Sequence, residues 1–276
     1  MKFSLAFCII CATFPLLCSS ALPTEIGYPE DDGNKQTVSE FIHRNLVYNQ
    51  QFRDSLIIDY ISHGKVPASL RHWVSIKESL VDADGNTHNV EMFVAPDVVA
   101  IGSDDDYLRV PMLPMTAQQI ADMCNAILPT RKISNLIHKH SKLKLVPHPM
   151  TPDSTMITMR IFAKHDSIVK SQMSECGAKI GDFIAGHKKD VVITNRIDSL
   201  PDRVHIYGWH YPDGKNIQPL YSGHTLPHVD YSHGIRLISR RIIVDGKEWD
   251  IVDLLHHPLL YALVSDEPGV MNKCSY

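Results

Sequence analysis

The chain has 276 residues, of which 44% are hydrophobic and 21% charged, with 27 Lys+Arg against 31 Asp+Glu. That balance excludes a disordered or fibrous chain and predicts a globular one. A net charge of −4 with no basic cluster leaves nothing to hold a polyphosphate, so nucleic acid is not an expected partner.

Lys2 followed by the apolar run Phe3 to Cys18 and the small residues Ser19, Ser20 and Ala21 has the layout of a cleaved signal peptide over 1–21. The run is short for a bilayer span and no other run approaches that length, so the mature protein is expected to be secreted, with no membrane contact after cleavage. Cys8, Cys11 and Cys18 leave with the signal. Cys124, Cys176 and Cys274 remain, which allows at most one intramolecular disulfide, and none of the three sits in a motif for an activated thiolate.

Residues 22–38 are polar, with Pro23, Pro29, Asp31, Asp32 and Gly33, and read as a flexible lead-in to a single globular domain over 39–276. Ser39 to Tyr60 carries apolar residues at helical offsets, as one helix or two short ones. Trp73 to Leu80 and Val90 to Val99 flank Asp82-Ala83-Asp84-Gly85-Asn86, the chemistry of a hairpin turn. Thr116 with Gln119 reads as a capping box opening a helix that Pro129 ends, and Thr130 caps the next one. On that second helix His138 and His140 lie beside Lys139 and Lys142, which predicts a solvated face. Lys144 to Ser154 is a proline-punctuated connector, and Met159 to Cys176 is a helix closed by Gly177.

From Asp190 the texture turns to short β-rich runs: Val191 to Ile197, Val204 to His210, Ile217 to Tyr221, Ile235 to Ser239 and Ile242 to Val244. Ile251 to Val264 returns to a helical pattern broken at Pro258. Strands, then a central helical block, then strands is not βαβ alternation. The expected class is α+β, one domain with a largely antiparallel sheet.

The chemistry concentrates in residues 186–236. His205, His210, His224, His228 and His233 place five of the 16 histidines within 29 residues, where a uniform scatter gives fewer than two. If Val229 to Ser232 is extended, His228, Asp230 and Ser232 share one face and His233 points away. The candidate catalytic set is His210, His228, Asp230, Ser232 and His233, with His224, His228 and Asp230 as ligands to a divalent metal such as zinc. His187, Lys188, Trp209 and Arg236 are candidate substrate contacts. Either Lys188 or Lys189 could stabilise a carboxylate or a developing oxyanion. Arg236 requires an acidic partner, such as Asp190 or Asp230, or a ligand anion.

The run Ser232-His233-Gly234-Ile235-Arg236-Leu237 resembles the S-H-G-C-x-R signature of the L,D-transpeptidase (YkuD-type) family over about six residues. In that family a cysteine attacks an acyl donor of peptidoglycan, and here Ile235 stands in its place, so no catalytic role carries over. The wider stretch from Gly186 to Arg236 is similar to uncharacterised secreted bacterial-type proteins. Two functions fit these residues. One is a secreted hydrolase acting on an amide, ester or glycosidic bond. The other is a non-catalytic secreted protein that binds a small molecule, peptide or glycan through Trp209, Tyr207, Tyr211 and Tyr221.

Overall fold

The computed structural model describes residues 24–46 and 49–276, so the apolar segment 1–21 lies outside the described residues. Ahead of the first helix the chain is already anchored. Ile26 and Tyr28 are buried, Glu25 bridges His72, and the Lys65 ammonium meets Asp31.

The helical offsets after Ser39 resolve into α1 (Val38–Asn45) and α2 (Gln50–Ser62). Thr37 caps α1 through a capping box with Glu40, and Asn49 caps α2, so each helix has its own start signal. β1 (Val74–Val81) and β2 (Thr87–Val94) form the expected hairpin, with the Asp82 carboxylate accepting from the Asp84 and Asn86 amides across the turn. A small hairpin of β3 (Ala100–Gly102) and β4 (Tyr107–Arg109) follows.

The next helix, α3 (Pro114–Met123), starts before the expected cap. Pro114 supplies the first helical φ and the Leu113 amide is taken by Asp54, so Thr116 falls inside the first turn instead of capping it. It also ends before Pro129. Asn125 adopts a left-handed φ of 48° and turns the chain into β5 (Ala126–Ile127). Thr130 caps α4 (Arg131–His140) as expected, accepting from the Ile133 amide. The solvated face expected there is not found: His138 is buried, and half-buried His140 meets Glu78. β6 (Leu143–Lys144) and the connector lead to α5 (Met159–Glu175), closed by Gly177 at φ 69°.

The rest of the chain is β7 (Ile184–Ala185), β8 (Lys189–Val191), α6 (Arg196–Ser199), β9 (Ile206–His210), β10 (Asn216–Tyr221), β11 (His233–Gly234), β12 (Ile238–Val244), β13 (Lys247–Asp250), α7 (Ile251–His256) and α8 (Tyr261–Val264). The strand expected over 191–197 stops at Val191. Beyond it, the Tyr276 hydroxyl donates to Val192 O and accepts from the His205 amide, and Ile193 bonds to Pro129 O. The two runs expected at 235–239 and 242–244 are one strand, β12. Residues 235–237 are instead the crossing between sheets, bonded through Ile235 O and Leu237 O to Val99 and Ala95.

The fold is α+β. The larger sheet has the order β1-β2-β12-β13, with β5 also on β12, all antiparallel. The second runs β10-β9-β8-β11, antiparallel except for the parallel pair β8 and β11. One contiguous apolar cluster reaches from Ile26 to Met271 and joins both sheets to the helices. Close approach of β8 and β11 requires Gly234, because a Cβ there would sit 2.7 Å from the Lys188 Cβ and 2.8 Å from Val98 Cγ1. Among the described residues no helix is long and apolar enough to cross a membrane.

Candidate functional site

The edge of the smaller sheet gathers the candidate residues, and two local turns do the gathering. In the first, the His228 amide bonds to Thr225 O, folding the chain back so that the His224 and His228 rings stack at 3.9 Å with an interplanar angle of 19°. In the second, the Asp230 carboxylate accepts from the Ser232 amide at 2.7 Å and the Ser232 hydroxyl at 2.5 Å, while the His233 amide bonds to Asp230 O. Such an Asx turn is ordinary behaviour for aspartate ahead of a strand. Residues 230–233 are therefore not extended. The turn returns His233, three positions on, to the side of Asp230, and its Nε2 lies 3.8 Å from Oδ2.

The result is a cluster in which ligand atoms of His224, His228 and Asp230 lie within 4.8 Å of one another. The two histidines are half-buried and Asp230 is buried, so the cluster opens to solvent on the imidazole side. His228 Nε2 is 3.6 Å from Asp230 Oδ2. Burial, helped by the neighbouring His228, pushes the His224 imidazole below its ordinary value, which keeps its lone pair free at neutral pH. Burial by itself would raise the Asp230 carboxyl. His233, the contacts from His228 and Ser232, and the Lys189 ammonium together hold it well below the usual carboxylate range. His224 and Asp230 are thus held in their ligating forms, with the His228 ring stacked beside them.

Behind the cluster stands His233, fully buried, with neither ring nitrogen in a hydrogen bond among the described residues and its pKa pushed by burial down to about 4. Lys189 is paired with His233 across β8 and β11, and its ammonium sits over the Trp209 ring at 5.0 Å. Burial lowers its pKa.

The other candidate residues lie elsewhere around the same sheet. Gly208 and Trp209 have consecutive left-handed φ values of 98° and 58°, which breaks the alternation of β9 and turns Tyr207 and His210 to the same side. Both meet Asn135 Oδ1 of α4, at 2.9 Å each, and the His210 ring stacks on His138 at 4.8 Å. Burial pushes the His210 pKa down to about 4. Trp209 is buried, donating its indole N–H to His187 O. His187 Nε2 meets Asp97 Oδ1 at 3.0 Å. The Lys188 ammonium donates to Tyr231 O at 2.5 Å, and burial lowers its pKa to about 8. Arg236 donates to Ala95 O and Ile184 O at 3.1 and 2.9 Å.

Sequence reading passed over the ion network on which these residues rest. Arg109 is fully buried and holds Asp97 through Nε and Nη2, at 2.9 and 2.7 Å, and Asp166 through Nη1 at 2.9 Å. His187 and Asp97 are 90 positions apart in the chain, and no local pattern announces that pairing. Cys124, Cys176 and Cys274 are all free thiols. Burial pushes Cys124 up to about 12 and Cys274 to about 11, which leaves both protonated. Comparison with family models, curated proteins and solved structures gives no match to this chain.

Proposed function

We propose that the protein is a secreted hydrolase whose centre is a divalent metal, zinc by preference, held by His224, His228 and Asp230. The observation that carries this reading is the convergence of two imidazoles and one carboxylate at a solvent-facing edge. Two nitrogens and an oxygen form a ligand set suited to zinc with a fourth position open for water. Ligands of a tetrahedral zinc stand about 3.4 Å apart, so donors within 4.8 Å need only a small contraction.

Held by His224, His228 and Asp230, a zinc ion would lower the pKa of a bound water and polarise a carbonyl. The chain's own groups do the rest. The Ser232 hydroxyl and amide fix the Asp230 carboxylate. Lys189, on the adjacent strand, is the cation available to the oxyanion that develops as the water oxygen bonds to the carbonyl carbon. Collapse of that adduct breaks the bond to the leaving nitrogen or oxygen, which takes up the proton lost by the water. The binding-protein reading keeps exposed Tyr211 and Tyr221 but loses Trp209 and Tyr207, which are buried and cannot contribute to an aromatic platform.

The test is zinc titration by calorimetry, together with hydrolysis of chromogenic amide and ester panels. One zinc per chain, lost in His228→Ala, and activity abolished by a chelator and restored by zinc are expected. Absence of stoichiometric zinc binding, or hydrolysis indifferent to chelation, overturns the reading.

A further inference from the structure

Between α4, the approach to β8 and the crossing at 235–237 the protein encloses a chamber of about 10 Å³. Ser134, His138, His187, Asp190, His210 and Arg236 line it, and all except the partly exposed Asp190 are buried. Polar groups packed this closely away from solvent must find hydrogen-bond partners, because each one left without costs free energy.

The outward contacts of each residue fix which atom remains for the chamber. Arg236 gives Nη1 and Nη2 to Ala95 O and Ile184 O, while its Nε is buried and in no hydrogen bond among the described residues. A guanidinium keeps its protons, so this Nε–H is a donor. His187 meets the Asp97 carboxylate through Nε2, which places the ring hydrogen there. Its Nδ1 is left as a buried lone pair, again in no hydrogen bond among the described residues. His138 bonds to the Tyr211 backbone, and since the Tyr211 amide is given to Lys215 O, the acceptor is Tyr211 O. That places the His138 hydrogen on Nδ1 and leaves Nε2 as a second buried lone pair without a partner among the described residues. Burial pushes the His187 pKa down to about 4 and lowers that of His138, so both rings are neutral at pH 7. The other polar neighbours are engaged: His210 with Asn135 Oδ1, the Lys188 ammonium with Tyr231 O, and Asp190 with the adjacent Ser134 hydroxyl.

One fixed donor facing two lone pairs selects the guest. A chloride only accepts, and it would confront the two imidazole lone pairs. A metal cation or an ammonium would confront the guanidinium N–H. A water molecule accepts and donates at once, and buried waters make about three hydrogen bonds. The space agrees, since one water needs roughly 10–15 Å³ and nothing larger fits. We infer that the chamber binds a single internal water, which accepts from Arg236 Nε–H and donates to His187 Nδ1 and His138 Nε2. This water ties the inter-sheet crossing to α4 and to the approach to β8. It also completes the hydrogen bonding of an arginine whose direct contacts are carbonyls instead of a carboxylate. No atom of His224, His228 or Asp230 lines the chamber, and the water site holds whether or not the protein is a hydrolase.

The test is a crystal structure of the whole chain, resolved finely enough to show single waters, from crystals grown in sodium bromide with data collected at the bromine absorption edge. It is paired with NMR on protein carrying isotope-labelled arginine. Expected are one isolated density peak within hydrogen-bond distance of Arg236 Nε, His187 Nδ1 and His138 Nε2, with no anomalous signal, and a cross-relaxation peak between the Arg236 Nε proton and a water that tumbles with the protein. A chamber without density, a bromide signal in it, or a peak out of reach of Arg236 Nε overturns the assignment. His138→Phe keeps a ring in place and removes one acceptor, so the cross-relaxation peak is expected to be lost. Its survival at parental intensity in the folded variant overturns the three-bond arrangement. If that variant does not fold, the density and cross-relaxation of the parent decide by themselves.

Discussion

At the scale of single residues, Ser232 and Arg236 separate support of the site from support of the fold. Among the described residues the Ser232 hydroxyl bonds to the Asp230 carboxylate, at 2.5 Å, in a contact that aims a proposed ligand. Removing a group that orients a metal ligand costs about 10- to 100-fold in metal affinity or activity. Ser232→Ala is therefore expected to weaken zinc binding by at least tenfold, read by calorimetry, with a melting temperature within a few degrees of the parent. Parent-like zinc affinity would leave the hydroxyl a purely structural role. Arg236 is the opposite case. Its fork reaches carbonyls on two separate segments, after β2 and in β7, which one lysine nitrogen cannot do. Arg236→Lys is expected to cost about 1.5–3 kcal/mol by denaturant titration, the range for a lost charged hydrogen bond in a buried place, with zinc binding intact. Weakened ligand binding at full stability would instead make Arg236 a ligand contact.

At the scale of elements, His88 links two hairpins. It leaves β2 to meet Asp82 of its own turn at 3.2 Å and Asp245 of the β12–β13 turn at 2.7 Å. The contacts with Asp245 and Asp82 raise the His88 pKa above its ordinary value. A histidine raised in the folded state gives stability that is fully present below its unfolded pKa, near 6.5, and is lost as pH rises through the folded value. Asp82 works in the other direction. Although burial opposes it, hydrogen bonds from Asn86 and His88 pull its pKa down to about 2, so its contribution is present above about 4 and fades as pH falls toward 2. The bridge is thus strongest between about pH 4 and 6.5. His88→Gln is expected to lower the melting temperature by about 1–3 °C at pH 5.5 and by less at pH 8, in keeping with a solvent-screened pair. An equal shift at both values would show that the imidazolium is not what joins the hairpins.

Across the whole molecule, the Arg109 network ties together parts of the chain that local structure leaves apart. Asp97 follows β2, Arg109 ends β4, Asp166 lies in α5, and His187 precedes β8. All four are buried. Taking out Arg109 leaves Asp97 with His187 and Asp166 with Lys170 as the remaining partners, neither of which replaces the buried guanidinium between them. Arg109→Met is expected to cost about 3–5 kcal/mol and roughly 6–20 °C in melting temperature by calorimetry. Replacing Asp97 by Asn in the same chain is expected to recover part of that loss, because a neutral amide needs no counter-charge. A loss below about 1 kcal/mol would mean that water or rearrangement satisfies the carboxylates.

The sequence alone carried the α+β class, the β1–β2 hairpin, the Thr130 cap, the long α5 with its Gly177 close, and the histidine-rich stretch that holds the candidate centre. These follow from neighbours a few residues apart, through periodicity, turn chemistry and capping, and such signals survive without a tertiary partner. His224, His228 and Asp230 were readable as ligands because two turns within nine residues bring them together. The side of the chain on which His233 lies was not readable, since an aspartate turn and an extended strand suit Asp230-Tyr231-Ser232 equally until β11 fixes the next residues against β8. The burial of His138 depended on β9 packing against α4, and the two left-handed residues at 208 and 209 sent His210 to Asn135. Nor could the Arg109 network be seen beforehand. It joins segments tens of residues apart, and burial of a charge is decided by what the fold places opposite it.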